Sequence, residues 1–219
     1  MCAGRGQGGA VIRGRFIAFE GIDGSGKTTQ IGLLQQQLES LGRTVTVVRE
    51  PGGAGLSEEI RTLLLDHRDR DLSVRAEALL FSTARAQLVE EVLIPALERG
   101  EDVLCDRYAD STVAYQGYGR ELPLDEIITI QAFATKGLRP DLKVLLDLPV
   151  ERAAARLLGS FADRMESAGR AFQERIRRGY LALAEAAPAE WLVVEGDQSK
   201  ESIAKEIAAH VKQQLDKDD

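Results

Sequence analysis

Cysteine is nearly absent: Cys2 and Cys105 are the two in 219 residues. Their spacing makes neither a disulfide framework nor a zinc pattern and fits a reducing cytosol. Long apolar runs are missing too, since none approaches the roughly 18–20 residues a membrane span needs. The opening stretch MCAGRGQGGAVIRG has no apolar core of the kind a secretory signal carries. With five glycines in 14 residues it has little to bury, and residues 1–14 read as a flexible tail. Positive charge is not in excess. Lys and Arg number 28 against 35 Asp and Glu, a net charge of −7, which argues against a nucleic-acid backbone as the main partner. A few placed cations still suffice for a small phosphorylated ligand. The two histidines, His67 and His210, sit in polar surroundings and suggest no catalytic role. No internal repeat, linker or low-complexity tract follows the tail, so residues 15–219 read as one domain.

The apolar content, 44%, is ordinary for a globular protein and enough for a sizeable core. Short, nearly continuous apolar runs at 15–20, 44–48, 102–105, 142–148 and 191–195 predict strands buried on both faces. Amphipathic stretches separate them. Ile31, Leu34, Leu38 and Leu41 recur at helical spacing before Gly42, a stop signal. Ile203, Ile207, Val211 and Leu215 recur after Ser199, a capping residue. Residues 73–94, 123–137, 149–158 and 170–186 also read as helices. Strand–helix alternation of this kind predicts an α/β fold with a mostly parallel sheet covered on both faces.

Residues 21–28 read Gly-Ile-Asp-Gly-Ser-Gly-Lys-Thr, the G-x-x-x-x-G-K-[ST] phosphate loop, between an apolar strand and an amphipathic helix. Glycines let backbone N–H groups close on phosphate oxygens, and the helix start favours an anion. Lys27 can reach the β- and γ-phosphates, and the Thr28 hydroxyl can ligate Mg²⁺. The candidate nucleotide-binding residues are therefore Gly21, Ile22, Asp23, Gly24, Ser25, Gly26, Lys27, Thr28 and Thr29. No guanine-reading Asn-Lys-x-Asp stretch occurs. A chain of this size most naturally moves the γ-phosphoryl of ATP to a small acceptor.

Five further blocks follow in order. They are Arg-Glu-Pro-Gly-Gly at 49–53, LLFSTARAQ at 79–87, DRYADSTVAYQGYGR at 106–120, Asp-Arg-Met-Glu at 163–166, and Phe172, Arg175 and Gly179-Tyr180. Together with FEGIDGSGKTTQ at 19–30 they closely resemble the bacterial thymidylate kinases, from about Arg15 onward. The resemblance implies a P-loop NTPase fold with a five-stranded parallel sheet and a mobile lid near 151–170. It implies the reaction ATP + dTMP → ADP + dTDP with Mg²⁺, in a cytoplasmic homodimer. Arg107 and Arg49 would hold the dTMP phosphate. Asp23 would lie near the sugar and the phosphate-binding arginine. Asp106 would either hold Mg²⁺ through water or orient Arg107. Phe81 would stack on thymine and Arg85, one turn on, would donate to its carbonyl. Ser111, Thr112 and Gln116 would face the rest of the base, and Tyr115 would crowd a ribose 2′ position. Arg164 and Arg156 are the two lid candidates for contact with the transferring phosphoryl. The alternatives are another P-loop deoxynucleotide kinase, or a nucleotide-dependent binding protein with a degenerate acceptor site.

Overall fold

All five apolar runs are strands in the computed structural model, which describes residues 13–65, 72–157, 165 and 169–215. Most of the predicted tail, Cys2, His67 and Arg164 lie outside the described residues. The strands are β1 (Phe16–Glu20), β2 (Val45–Arg49), β3 (Asp102–Asp106), β4 (Leu142–Asp147) and β5 (Trp191–Glu195). They pair in parallel in the order β2-β3-β1-β4-β5. Alternate residues of β1 explain its unbroken apolar run. Ile17 and Phe19 pack against helices α1 (Lys27–Ser40) and α9 (Lys200–Leu215). Phe16 and Ala18 pack on the opposite side, against the stretch that begins with α3 (Val74–Leu88). Each such fully buried large apolar side chain contributes roughly 1.5–3 kcal/mol.

The expected helix over 73–94 runs further. It passes through a π-helical turn, Val89–Leu93, into α4 (Ile94–Glu98). The other predicted stretches become α6 (Leu124–Ala134), α7 (Val150–Arg156) and α8 (Arg170–Ala186). A helix not assigned from sequence, α2 (Gly55–Leu65), packs on α3. Leu56 and Leu63 on its outer face are exposed and blur its periodicity. Leu41 also departs from expectation. It ends α1 rather than facing the core and is 62% exposed, while Gly42 takes the left-handed stop with φ 79°.

Strand register levels the ligand end of the sheet. Asp106 pairs with Phe19 on one side and Arg49 on the other, so the residues after β1, β2 and β3 emerge together. Open parallel sheets bind ligands outside these carboxyl ends. After β3 the chain turns into α5 (Ala109–Thr112) and a π-helical turn, Val113–Gly119, which carries Tyr115 and Gln116 inward. Such π-turns recur at functional sites because they re-aim side chains.

Candidate active site

The phosphate loop follows β1 directly and feeds α1. Gly21 has φ 134°, and a Cβ there would stand 2.7 Å from the Leu146 carbonyl, so only glycine allows this turn beside β4. Gly24 has φ 77° and meets the Ala153 carbonyl of α7 in the same way, at 2.9 Å. The loop lines a cleft of about 540 Å³ together with Thr29, Asp106 and Arg156. Lys27 is buried, and its Nζ donates to the Gly21 and Ile22 carbonyls at 3.1 Å each. Burial and the neighbouring Arg107 cation lower its pKa to about 8, against the opposing pull of Asp106, Asp23 and Glu20. The buried Ser25 hydroxyl lines the cleft with no hydrogen-bond partner among the described residues. The Thr28 hydroxyl donates to Asp106 Oδ2 at 2.9 Å. These two oxygen ligands fit Mg²⁺, which typically takes one or two carboxylates plus substrate phosphates and water. Among the described residues no cluster of three or more His, Cys, Asp or Glu offers a full protein cage.

A second, smaller cavity of about 80 Å³ also has Asp23 in its wall. Phe81, Arg85, Arg107, Ser111, Thr112, Tyr115 and Gln116 all line it. Ligand pockets are usually several hundred Å³, so a nucleotide acceptor must widen this one as it enters. Arg85 is 1% exposed and tied down on several sides. It pairs with Glu50 at 2.5 Å and donates to Thr112 Oγ1 at 2.8 Å, to the Tyr108 carbonyl at 3.0 Å and to Gln131. Its Nε–H alone has no partner among the described residues. An unpaired buried donor in a cavity wall is costly unless a ligand acceptor meets it. Gln116 is held by the buried Glu77 at 2.9 Å.

Asp23 borders both cavities. Its carboxylate accepts from Arg107 Nη2 at 2.6 Å and from the Tyr115 hydroxyl at 2.9 Å. Burial raises its pKa, but the Arg107 and Lys27 cations and these two hydrogen bonds outweigh that and hold it at about 2. Arg107 also donates to the Gly21 carbonyl at 2.9 Å, and its guanidinium lies 4.9 Å from the centre of the Tyr115 ring. Its φ of 72° is left-handed, a strained setting for a long side chain. Asp106 makes its hydrogen bond to Thr28, while Asp23 grips Arg107.

Arg49 is not in the acceptor cavity wall. It borders a neighbouring cleft with Thr28 and Asp106 and pairs with Glu58 at 3.3 Å. The pleat explains this, because Val48 and Glu50 point to one face and Arg49 to the other. Arg156 closes the donor cleft, donating to the Gly196 carbonyl at 2.8 Å and to the Gly24 and Ser25 carbonyls at 3.4 Å. Sequence reasoning missed Arg61, Leu65 and Met165 in the acceptor wall, and Gln198 and Lys200 in the donor wall. None sits in a ligand-binding motif that spacing alone reveals.

The sheet order and the glycine loop define a nucleotide-binding P-loop protein, with two cavities that share Asp23 in their walls. The family model for thymidylate kinase matches residues 19–207. The chain is 48% identical to a thymidylate kinase of Pelobacter propionicus over 207 residues, 91% of this chain and 94% of that one. It is 49% identical to that of Desulforudis audaxviator over 202 residues, covering 92% and 91%. The crystal structure of thymidylate kinase from Ehrlichia chaffeensis superposes with a TM-score of 0.76 at 30% identity, covering 91% of this chain and 99% of that one. This chain belongs to the thymidylate kinase family.

Proposed function

We propose that this chain transfers the γ-phosphoryl of ATP to dTMP, giving ADP and dTDP for dTTP synthesis. The observation that carries this reading is the shared wall. Asp23 borders both the phosphate-loop cleft and the cavity lined by Phe81, Arg85 and Arg107. ATP would lie in the first with its phosphates against residues 21–29, and dTMP in the second with its phosphate on Arg107. The attacking atom is an ionised phosphate oxygen, so no general base is needed. The chain's own work is to align the two phosphates and to neutralise charge in a water-poor cleft. Lys27 would sit on the β- and γ-oxygens, and Thr28 with Asp106 would hold Mg²⁺. The metal, when bound, would supply positive charge that offsets the charge developing in transfer. Phe81 would stack on the base, Arg85 Nε–H would meet its carbonyl, and Tyr115, fixed by Asp23, would oppose a 2′-hydroxyl. Ser111, Thr112 and Gln116 would complete the pocket. Arg49 would stand back from the acceptor phosphate unless its pair with Glu58 opens. A coupled ADP-release assay over a panel of nucleoside monophosphates tests this. Fast turnover with dTMP supports it, and a faster reaction with a different deoxynucleotide favours another P-loop deoxynucleotide kinase.

Residues 15–219 are read as one kinase domain in which 151–170 acts as the lid. The lid is proposed to bring an arginine to the transferring phosphoryl, since the loop supplies Lys27 but no arginine. Arg164 is the first candidate and lies outside the described residues. Arg156 already borders the donor cleft. Arginines in this role matter by about 10³–10⁵-fold in rate. Arg164→Ala should lower kcat far more than it shifts the KM for dTMP, and Arg156→Ala should do the same more weakly. Steady-state kinetics of both variants checks this. The reverse ranking would reassign the role.

A homodimer is proposed from the apolar outer surface of α3 and α6, which pack together. Phe133 is 87% exposed, and Leu79 and Ile128 are each 53% exposed. Phe133→Asp should shift the sedimenting species to a monomer, and an unchanged sedimentation coefficient would count against this face. A cytosolic location is the reading that the buried free thiol of Cys105 supports. No described helix is long and apolar enough to cross a membrane.

A further inference from the structure

Glu20, the last residue of β1, is 0% exposed and contacts Ser111, which lines the acceptor cavity. Its carboxylate accepts from the Tyr108 N–H at 2.9 Å, the Ser111 hydroxyl at 2.6 Å and the Tyr180 hydroxyl at 3.0 Å. Those two hydroxyls lie 2.7 Å apart. Both also accept from Arg107 Nη1, at 3.4 Å and 3.1 Å. A hydroxyl has one proton to give. When the carboxylate takes the protons of Ser111 and Tyr180, both oxygens are left as acceptors toward the guanidinium.

We propose that Glu20 is a positioning residue for the acceptor phosphate, orienting Ser111 and Tyr180 so that they hold Arg107 in place beside Asp23. The inference rests on the reading of Arg107 as the dTMP phosphate contact. Glu20 itself touches no substrate. Protonation reverses the arrangement. A neutral Glu20 must donate to one of the hydroxyls, whose own proton then passes to the other hydroxyl 2.7 Å away or faces an arginine that is itself only a donor, so the two oxygens are no longer both fixed as acceptors for Arg107.

Burial and the charged surroundings put that change near neutral pH. Burial is the main cause and Asp110 on α5 adds to it, raising the Glu20 pKa to about 7 against the Ser111 hydrogen bond, Arg107 and the Tyr108 N–H. Lys27 on α1 and Arg85 on α3 also feel its charge. Lys143 on β4 pairs with Asp110 at 3.1 Å. Tyr180 from α8 and Cys105 from β3 complete the enclosure.

The test measures KM for dTMP, KM for ATP and kcat from pH 6 to 8 in the wild type, Glu20→Gln, Tyr180→Phe and Arg107→Ala. Glu20→Gln should raise the dTMP KM at pH 8 by about 10–100-fold, the worth of a charge-assisted hydrogen-bond array, with a much smaller change in the ATP KM, through the charge that Lys27 loses, and kcat less affected. The dTMP phosphate titrates near pH 6 by itself. The wild-type dTMP KM should therefore rise more steeply toward pH 6 than that of Glu20→Gln, which keeps only the phosphate titration. Tyr180→Phe leaves Glu20 on Ser111 and should raise the dTMP KM by a smaller factor. It decides the matter if Glu20→Gln does not fold. A wild-type dTMP KM and pH profile in Glu20→Gln, or an unchanged dTMP KM in Tyr180→Phe, overturns the proposal. If Arg107→Ala raises the dTMP KM in that case, the phosphate site stands without Glu20. If Arg107→Ala leaves it unchanged, the phosphate assignment falls as well.

Discussion

Lys27→Ala should lower kcat by about 10²–10⁴-fold with the fold intact, a loss of roughly 3–5 kcal/mol of transition-state stabilisation. Lys27 is the phosphate loop's own cation, and it already sits among the loop carbonyls, donating to Gly21 and Ile22. Charge develops on the transferring oxygens in a cleft that shields them from water, where a fixed cation is worth most. Removing the side chain leaves α1 and its core face of Ile31, Leu34 and Leu38 in place. The depressed pKa adds a pH signature with a definite sign. Protonated Lys27 is the useful form, so kcat/KM for ATP, which reports the free enzyme, should fall as pH rises through about 8. Bound phosphates favour the protonated form, so kcat should hold to higher pH. Circular dichroism together with steady-state rates on the variant separates lost catalysis from lost folding. Near-normal turnover would remove the phosphate-loop assignment.

The second large effect is selectivity for the base. dTMP should exceed dCMP in kcat/KM by about 10⁴-fold, the scale on which a site built around a specific hydrogen bond rejects an analogue lacking it. Arg85 cannot turn away to relieve the mismatch. Glu50, Thr112, Gln131 and the Tyr108 carbonyl occupy its other donors. Its free Nε–H would meet a thymine carbonyl but would face the amino group of cytosine, donor against donor. dUMP keeps the carbonyl and loses one methyl, worth about 1–3 kcal/mol, so it should be a weaker but real substrate. Kinetics with the three nucleotides checks the ranking, and equal values for dTMP and dCMP would refute this pocket.

The sheet was legible because a strand buried on both faces leaves a nearly continuous apolar run, as in β1 and, interrupted by Lys143, in β4. The phosphate loop was legible for a different reason, since backbone approach to phosphate demands glycines at fixed spacing. Helix α2 was hidden by the exposed Leu56 and Leu63, which mask the buried Ile60 and Leu64. Within the candidate site, the family resemblance pairs Arg107 with Arg49 on the acceptor phosphate. Strand alternation sends Arg49 toward Glu58, whereas Arg107 turns back through a left-handed backbone onto Asp23. The Glu50–Arg85 pair, the Met165 contact with the cavity and the role argued for Glu20 depend on residues far apart in the chain meeting in space. No local spacing records such meetings.

In the proposed reaction one cleft holds ATP and the adjoining cavity receives its γ-phosphoryl on dTMP. The most direct measurement follows ATP labelled on the γ-phosphoryl, incubated with the protein, Mg²⁺ and dTMP. The label should appear in dTDP, one for each ADP formed, and remain in ATP when dTMP is left out. Label released as inorganic phosphate, or held in ATP with dTMP present, would contradict it.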